Sequence, residues 1–113
     1  MARRLVAALL LAGCAATELG TYEAVSPAAS GGARHVRITL RQHGAAAVTS
    51  AYSDQSNRFF AEGTWQREGR IITVNLEKQA MVFQYAGELL LAKEWDRTLW
   101  GENGPGVLYR VNR

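Results

Sequence analysis

The sequence predicts an all-β protein, a small antiparallel up-and-down meander that forms a barrel or a curved half-barrel. Three observations carry this prediction. Apolar and polar residues alternate with period two from Ala33 to the end of the chain. Turn-forming residues interrupt that alternation at hairpin spacing. After residue 20 no helical pattern longer than one or two turns competes. The 113 residues are 48% apolar and 20% charged, which suits one globular domain and excludes wholesale disorder.

The elements follow in order. Ser26-Pro27-Ala28-Ala29-Ser30-Gly31-Gly32 is small and polar and reads as a loop. Val36, Ile38 and Leu40 alternate with His35, Arg37, Thr39 and Arg41, a half-buried strand. His43-Gly44 turns the chain, and Ala46, Val48, Ser50 and Tyr52 share the next face. Ser53 to Asn57 is a second loop. Phe59, Ala61, Gly63 and Trp65 then alternate with Phe60, Glu62, Thr64 and Gln66. Glu68-Gly69 is a tight turn into Ile72, Val74 and Leu76, and Met81, Phe83 and Tyr85 form the following face. Ala86-Gly87-Glu88 leads into the Leu89-Leu90-Leu91-Ala92-Lys93 strand. Glu102 to Gly106 breaks the pattern, and Val107, Tyr109 and Val111 alternate with Leu108 and Arg110 to close it. That makes seven strands, with an eighth around Thr21-Tyr22-Glu23. Hairpin-length links between sequential strands make an antiparallel meander, and closure removes its sticky edges. The expected interior holds Val36, Ile38, Leu40, Val48, Trp65, Ile72, Val74 and Phe83.

The N-terminus has a different character. Met1 to Arg4 is basic, Leu5 to Leu11 is apolar, and Leu11-Ala12-Gly13 leads into Cys14, the layout of a secretory signal peptide. The apolar run is too short to span a bilayer, which takes about 20 residues. Leu-Ala-Gly-Cys resembles the bacterial lipobox. The resemblance implies lipidation of Cys14 and cleavage before it, with two or three acyl chains giving a firm anchor. A plain signal peptide with an incidental Cys, or a buried N-terminal helix, are the other readings. Ala15, rather than Asp, follows the Cys, which favours an outer membrane lipoprotein facing the periplasm. The expected organisation is a signal peptide over 1–13, a lipidated N-terminus and tether over 14–20, and one β-barrel-like domain over 21–113.

Function classes narrow by exclusion. The net charge is +3, but setting aside Arg3 and Arg4 leaves 11 basic against 10 acidic residues, interleaved along the chain. With no basic run carrying interleaved aromatics, no nucleic-acid partner is expected. Cys14 is the only cysteine, so neither an intrachain disulfide nor a Cys-rich metal site can form. His35 and His43 would lie about 26 Å apart on one extended strand and read as solvated. Glu94 and Asp96 flank Trp95 beside Lys93 and Arg97, a surface charge cluster rather than an acid–base pair. No catalytic residue, metal site or cofactor is expected. Trp65, Trp95, Trp100 and Tyr109 are the richest set. They either pack the core and plug the barrel, or line a mouth that accepts an apolar ligand or partner. The segment from Trp95 to Trp100 reads as a short irregular turn capping one barrel end.

From Tyr22 onward the chain resembles the N-terminal domain of NlpE-type lipoproteins, the copper-resistance and envelope-stress family. The residues that carry the resemblance are Tyr22, Pro27, Arg37-Ile38-Thr39-Leu40, Phe60-Ala61-Glu62-Gly63-Thr64-Trp65, Gly69-Arg70-Ile71-Ile72-Thr73-Val74 and Leu89-Leu90-Leu91. The resemblance implies a barrel, a lipid anchor and a non-enzymatic role in envelope homeostasis or stress response through protein contacts. A lipocalin-like carrier of a small apolar ligand is the alternative, and a purely structural lipoprotein a third reading. In one feature the sequence departs from the family. Where the family loop has Pro-Cys-x-x-Cys-x-Gly, the two cysteine positions fall on Ala28 and Gly31. Neither residue can ligate a soft metal or exchange a disulfide, so copper and redox sensing do not carry over.

Overall fold

The computed structural model describes residues 18–27, 33–53 and 58–111. The expected signal peptide, Cys14, the Ala28 and Gly31 positions and most of the loop from Ser53 to Asn57 lie outside the described residues. Eight strands make one closed, all-antiparallel barrel in sequence order: β1 (Gly20–Pro27), β2 (Ala33–Leu40), β3 (Ala45–Tyr52), β4 (Arg58–Glu68), β5 (Ile71–Leu76), β6 (Ala80–Tyr85), β7 (Leu89–Glu94) and β8 (Val107–Arg110). The barrel closes where β8 pairs with β1, Tyr22 opposite Arg110 and Glu23 opposite Tyr109. The sheet is therefore a complete barrel and not a half-barrel. Between β7 and β8 a single helical turn, α1 (Arg97–Trp100), sits over one end.

Period-two alternation produces the two faces. Val36, Ile38 and Leu40 of β2 are buried, as are Ile72, Val74 and Leu76 of β5 and Met81, Phe83 and Tyr85 of β6. Their neighbours His35, Arg37, Ile71, Asn75 and Glu77 are exposed. The hairpin between β4 and β5 needs only Gly69 and Arg70, because Gly69 adopts φ 62°, a conformation that costs glycine least. Gly63 is needed for a different reason. It pairs with Leu76, and a Cβ there would lie 2.0 Å from the Asn75 carbonyl oxygen, so β4 and β5 approach too closely for any side chain. A register shift at Val82/Phe83 marks a bulge beside the end of β7, where the chain leaves the sheet for α1.

An eight-stranded barrel is just wide enough for its own side chains to fill. Here Tyr22, Ile38, Leu40, Ile72, Met81, Phe83, Leu90 and Leu108 are each fully buried in one continuous cluster. Seven of the eight expected interior residues are buried. Trp65 is half-buried and packs against the cluster from its edge.

Three expectations change. β1 runs the full Gly20–Pro27, so Ser26 and Pro27 end a strand rather than open a loop; Pro27 sits opposite Ala33 at the last rung, where proline is tolerated. β1 also starts inside the expected tether, and Glu18 is buried against the barrel. In β8 the phase is the reverse of simple hydrophobicity: Leu108 is buried and Arg110 mostly so, while Tyr109 points out and is 60% exposed. The inward arginine has a purpose at the closed end of the barrel.

Candidate functional site

The strand directions define two ends. At one end lie Gly20, Leu40, Glu68, Tyr85 and Arg110; at the other lie Pro27, Ala33, Tyr52, Arg58 and the α1 turn. The first end is sealed by a polar network. Arg110 donates to the Leu19 carbonyl at 2.8 Å, to the Gly87 carbonyl at 3.0 Å and to the Tyr85 hydroxyl at 3.3 Å. Its guanidinium also lies 4.8 Å from the centre of the Tyr22 ring, within cation–π range. The Tyr22 hydroxyl donates to the Glu18 carbonyl at 2.9 Å. Burial pushes the Tyr22 hydroxyl far above its ordinary pKa, against the opposing pull of Arg110, so it stays a donor. Arg67 lies over the Tyr85 ring and 3.6 Å from the Glu18 carboxylate. These groups plug the end with hydrogen-bonded charge rather than with apolar side chains.

The opposite end is a mouth, partly roofed by a cap. Asp96 starts α1, its carboxylate accepting from the Thr98 and Leu99 amides, an N-cap. Trp100 ends α1, 4% exposed, with its indole N–H on the Gln79 side-chain oxygen at 2.9 Å. Phe59 meets it edge-to-face at 6.1 Å. Arg34 fastens the cap to β2: it donates to the Trp100 carbonyl at 3.2 Å and to the Gly104 carbonyl, and lies 5.5 Å from the Trp100 ring centre. Trp95 holds the loop beyond. Its N–H donates to the Gly101 carbonyl at 2.8 Å, and a Cβ on Gly104 would lie 2.4 Å from its ring.

A pocket of about 210 Å³ opens beside this cap, lined by Arg34, Ser50, Tyr52, Arg58, Phe59, Leu99 and Trp100. It adjoins a larger depression of about 480 Å³ along β1 to β4, with Ser50, Arg58 and Phe59 lining both. Among the described residues no group of three or more His, Cys, Asp or Glu could hold a metal ion. His35 and His43 are both exposed, on β2 and in the turn after it.

The structure divides the four aromatics of the sequence analysis. Trp95 and Trp100 come together in the cap. Trp65 lies toward the sealed end, its N–H on the Arg41 carbonyl at 2.9 Å. Tyr109 is on the outer wall of β8, away from both. The expected capping turn over Trp95 to Trp100 is the α1 segment. Arg34 and Arg58 were not anticipated. Each is one arginine among many, and only the strand order brings the starts of β2 and β4 to one mouth. Their position directly after the two expected loops is the one sequence signal that marks them.

Comparison with known proteins gives a consistent family and fold. The family model of the NlpE N-terminal domain matches residues 22–97. None of the curated proteins matches the chain. The crystal structure of the Cpx pathway activator NlpE from Escherichia coli superposes with a TM-score of 0.61 at 18% identity, over 83% of this chain and 48% of that one. The chain thus spans about half the length of that protein, and at this identity the likeness concerns the fold.

Proposed function

The chain belongs to the family of the NlpE N-terminal domain, and from that membership we propose a lipid-anchored, non-enzymatic protein of the bacterial cell envelope that serves envelope homeostasis or the stress response through protein contacts. The observation that carries the choice of protein contacts is the filled interior. With Tyr22, Met81, Phe83, Leu90 and Leu108 fully buried, the barrel holds its own side chains, which leaves the outer surface as the part that can meet a partner. That surface carries unusually open apolar groups: Val25, Phe60 and Tyr109 are each 60% exposed or more. The structurally similar E. coli protein is a Cpx pathway activator, which supports a stress role here. A lipocalin-like carrier of an apolar ligand would be left with the mouth pocket rather than the barrel interior.

In this reading Cys14 carries the lipid and fixes the domain to the outer membrane, facing the periplasm. Two measurements test it. Intact mass of the membrane-extracted protein should begin at Cys14 and include acyl mass; an unmodified Cys14 would refute the anchor. An envelope-stress reporter should respond to expression of the wild-type chain. The response should fall in Phe60→Ser and Tyr109→Ser variants that keep the β circular dichroism spectrum. A reporter indifferent to the wild-type chain would refute the stress role.

A further inference from the structure

We propose that the mouth pocket binds a small amphipathic anion, a carboxylate carried on an aromatic or short aliphatic body. Charge supplies the first argument. Among the described residues five arginines have a carboxylate within 4.0 Å: Arg37, Arg41, Arg67, Arg97 and Arg110. Arg34, Arg58 and Arg70 have none among the described residues. Arg70 is in the exposed turn at the sealed end, whereas Arg34 and Arg58 line one pocket. Two cations with no carboxylate partner among the described residues, at a partly enclosed site, raise the local potential and attract an anion.

The walls supply the second argument. Arg34 is immobilised by the Trp100 and Gly104 carbonyls and by the Trp100 ring, so its charge is in place before any ligand arrives. Ser50 is only 7% exposed, and it lines both the pocket and the adjoining depression. A carboxylate oxygen in the pocket would accept from its hydroxyl, a charge-assisted hydrogen bond. Phe59 and Trp100 form an apolar wall, set at 81° to one another. Arginines and a hydroxyl beside an aromatic wall suit a head that is anionic and a body that is not. The volume of about 210 Å³ is room for about seven water-sized groups at about 30 Å³ each. A ring or a short chain fits that space, and a longer chain could continue into the adjoining depression past Phe59. The site does not depend on the proposed stress role, since it rests on the mouth alone.

The test uses 3-phenylpropionate and octanoate as probes on the purified full chain, with 3-phenylpropanamide and inorganic phosphate as controls. Calorimetry should show saturable one-to-one binding of both carboxylates, accompanied by a change in tryptophan fluorescence. The amide should bind at least about tenfold more weakly, as the loss of a charge-assisted contact implies, and phosphate should bind more weakly as well because it has no apolar body to pack on Phe59 and Trp100. Arg58→Ala should weaken the carboxylates by about tenfold, Ser50→Ala by less, and Arg70→Ala not at all. Arg58 is exposed and Ser50→Ala is nearly isosteric, so both variants should keep the wild-type melting curve and report on binding. No saturable binding at millimolar probe would overturn the site. Equal binding of the amide would overturn its preference for anions, and an unchanged Arg58→Ala would overturn the assigned residues.

Discussion

Replacing Trp100 tests whether the α1 cap is part of the folded body or an ornament on it. The side chain is 4% exposed, meets Phe59 edge-to-face at 6.1 Å, bonds Gln79 at 2.9 Å and lies under Arg34. Trp→Ala at such a site removes the transfer energy and leaves a cavity, together about 3–5 kcal/mol. A domain of this size has only about 5–15 kcal/mol in all, so the loss is a large fraction of its stability. Trp100→Phe separates the two contributions. It keeps a ring against Phe59 and loses the N–H to Gln79, a half-buried acceptor that water can reach, so about 1 kcal/mol is expected. Urea melts followed by far-UV circular dichroism measure both, with the slope showing whether the exposed area changes as well. For about 100 residues each kcal/mol moves the midpoint temperature by roughly 4–8 °C, so thermal melts give an independent value. A Trp100→Ala protein within about 0.5 kcal/mol of wild type would show that the cap is not packed into the folded body. The pocket wall assigned to Trp100 would then be wrong too.

Two further outcomes follow from the geometry. Gly63→Ala should destabilise by about 1–3 kcal/mol or more, because its Cβ would fall 2.0 Å from a backbone oxygen that cannot swing away; a neutral urea melt would mean that β4 and β5 are farther apart than described. Tyr22 bears on pH. Its folded pKa is raised by burial, so above about pH 10 the unfolded chain loses the proton first. Stability is fully present below that pH and falls as pH rises toward the folded value, by up to about 1.4 kcal/mol per unit for this group. Thermal melts from pH 8 to 11.5 should show the decline, less steeply in Tyr22→Phe, and identical slopes in the two proteins would refute the assignment.

The parts of the fold legible in the sequence are those whose two faces differ in chemistry. Val36, Ile38 and Leu40 stand against Arg37 and Thr39, and the alternation alone assigns the interior. β8 defeats the same logic because the barrel end is closed with charge. Arg110 faces inward to serve the Leu19 and Gly87 carbonyls, the Tyr85 hydroxyl and the Tyr22 ring, and Tyr109 is thereby forced outward. Local hydrophobicity cannot anticipate a position whose partners come from two distant stretches, 19–22 and 85–87. β1 is hidden for a milder reason. Its inward residues include the small Ala24, and its most exposed one is Val25, so the contrast between faces is weak. The aromatic cluster has the same limit. Trp100 depends on Arg34, Phe59 and Gln79, residues 66, 41 and 21 positions away, and nothing within its own segment separates a plug from a ligand wall.

The two ends of the barrel also fix an orientation for the proposed anchored form. Cys14 precedes Gly20 by six residues, at most about 20 Å of extended chain. Gly20 belongs to the end plugged by Arg110, Tyr22 and Arg67, so that end is the one held near the lipid. β1 then carries the chain through eight residues, about 26 Å, to the mouth. Val25 and Phe60 lie toward this far end, as do Arg34, Arg58 and the α1 cap. In the proposed anchored form the charge-filled end is thus turned to the membrane, while Val25, Phe60 and the arginines of the mouth face the space where partners and ligands diffuse. Anything bound at the mouth touches Trp100, which is fastened by Arg34 to β2 and by Gln79 to the turn between β5 and β6. Occupancy there acts on the packing of three separate elements at the end a partner can reach, and leaves the network around the anchor untouched.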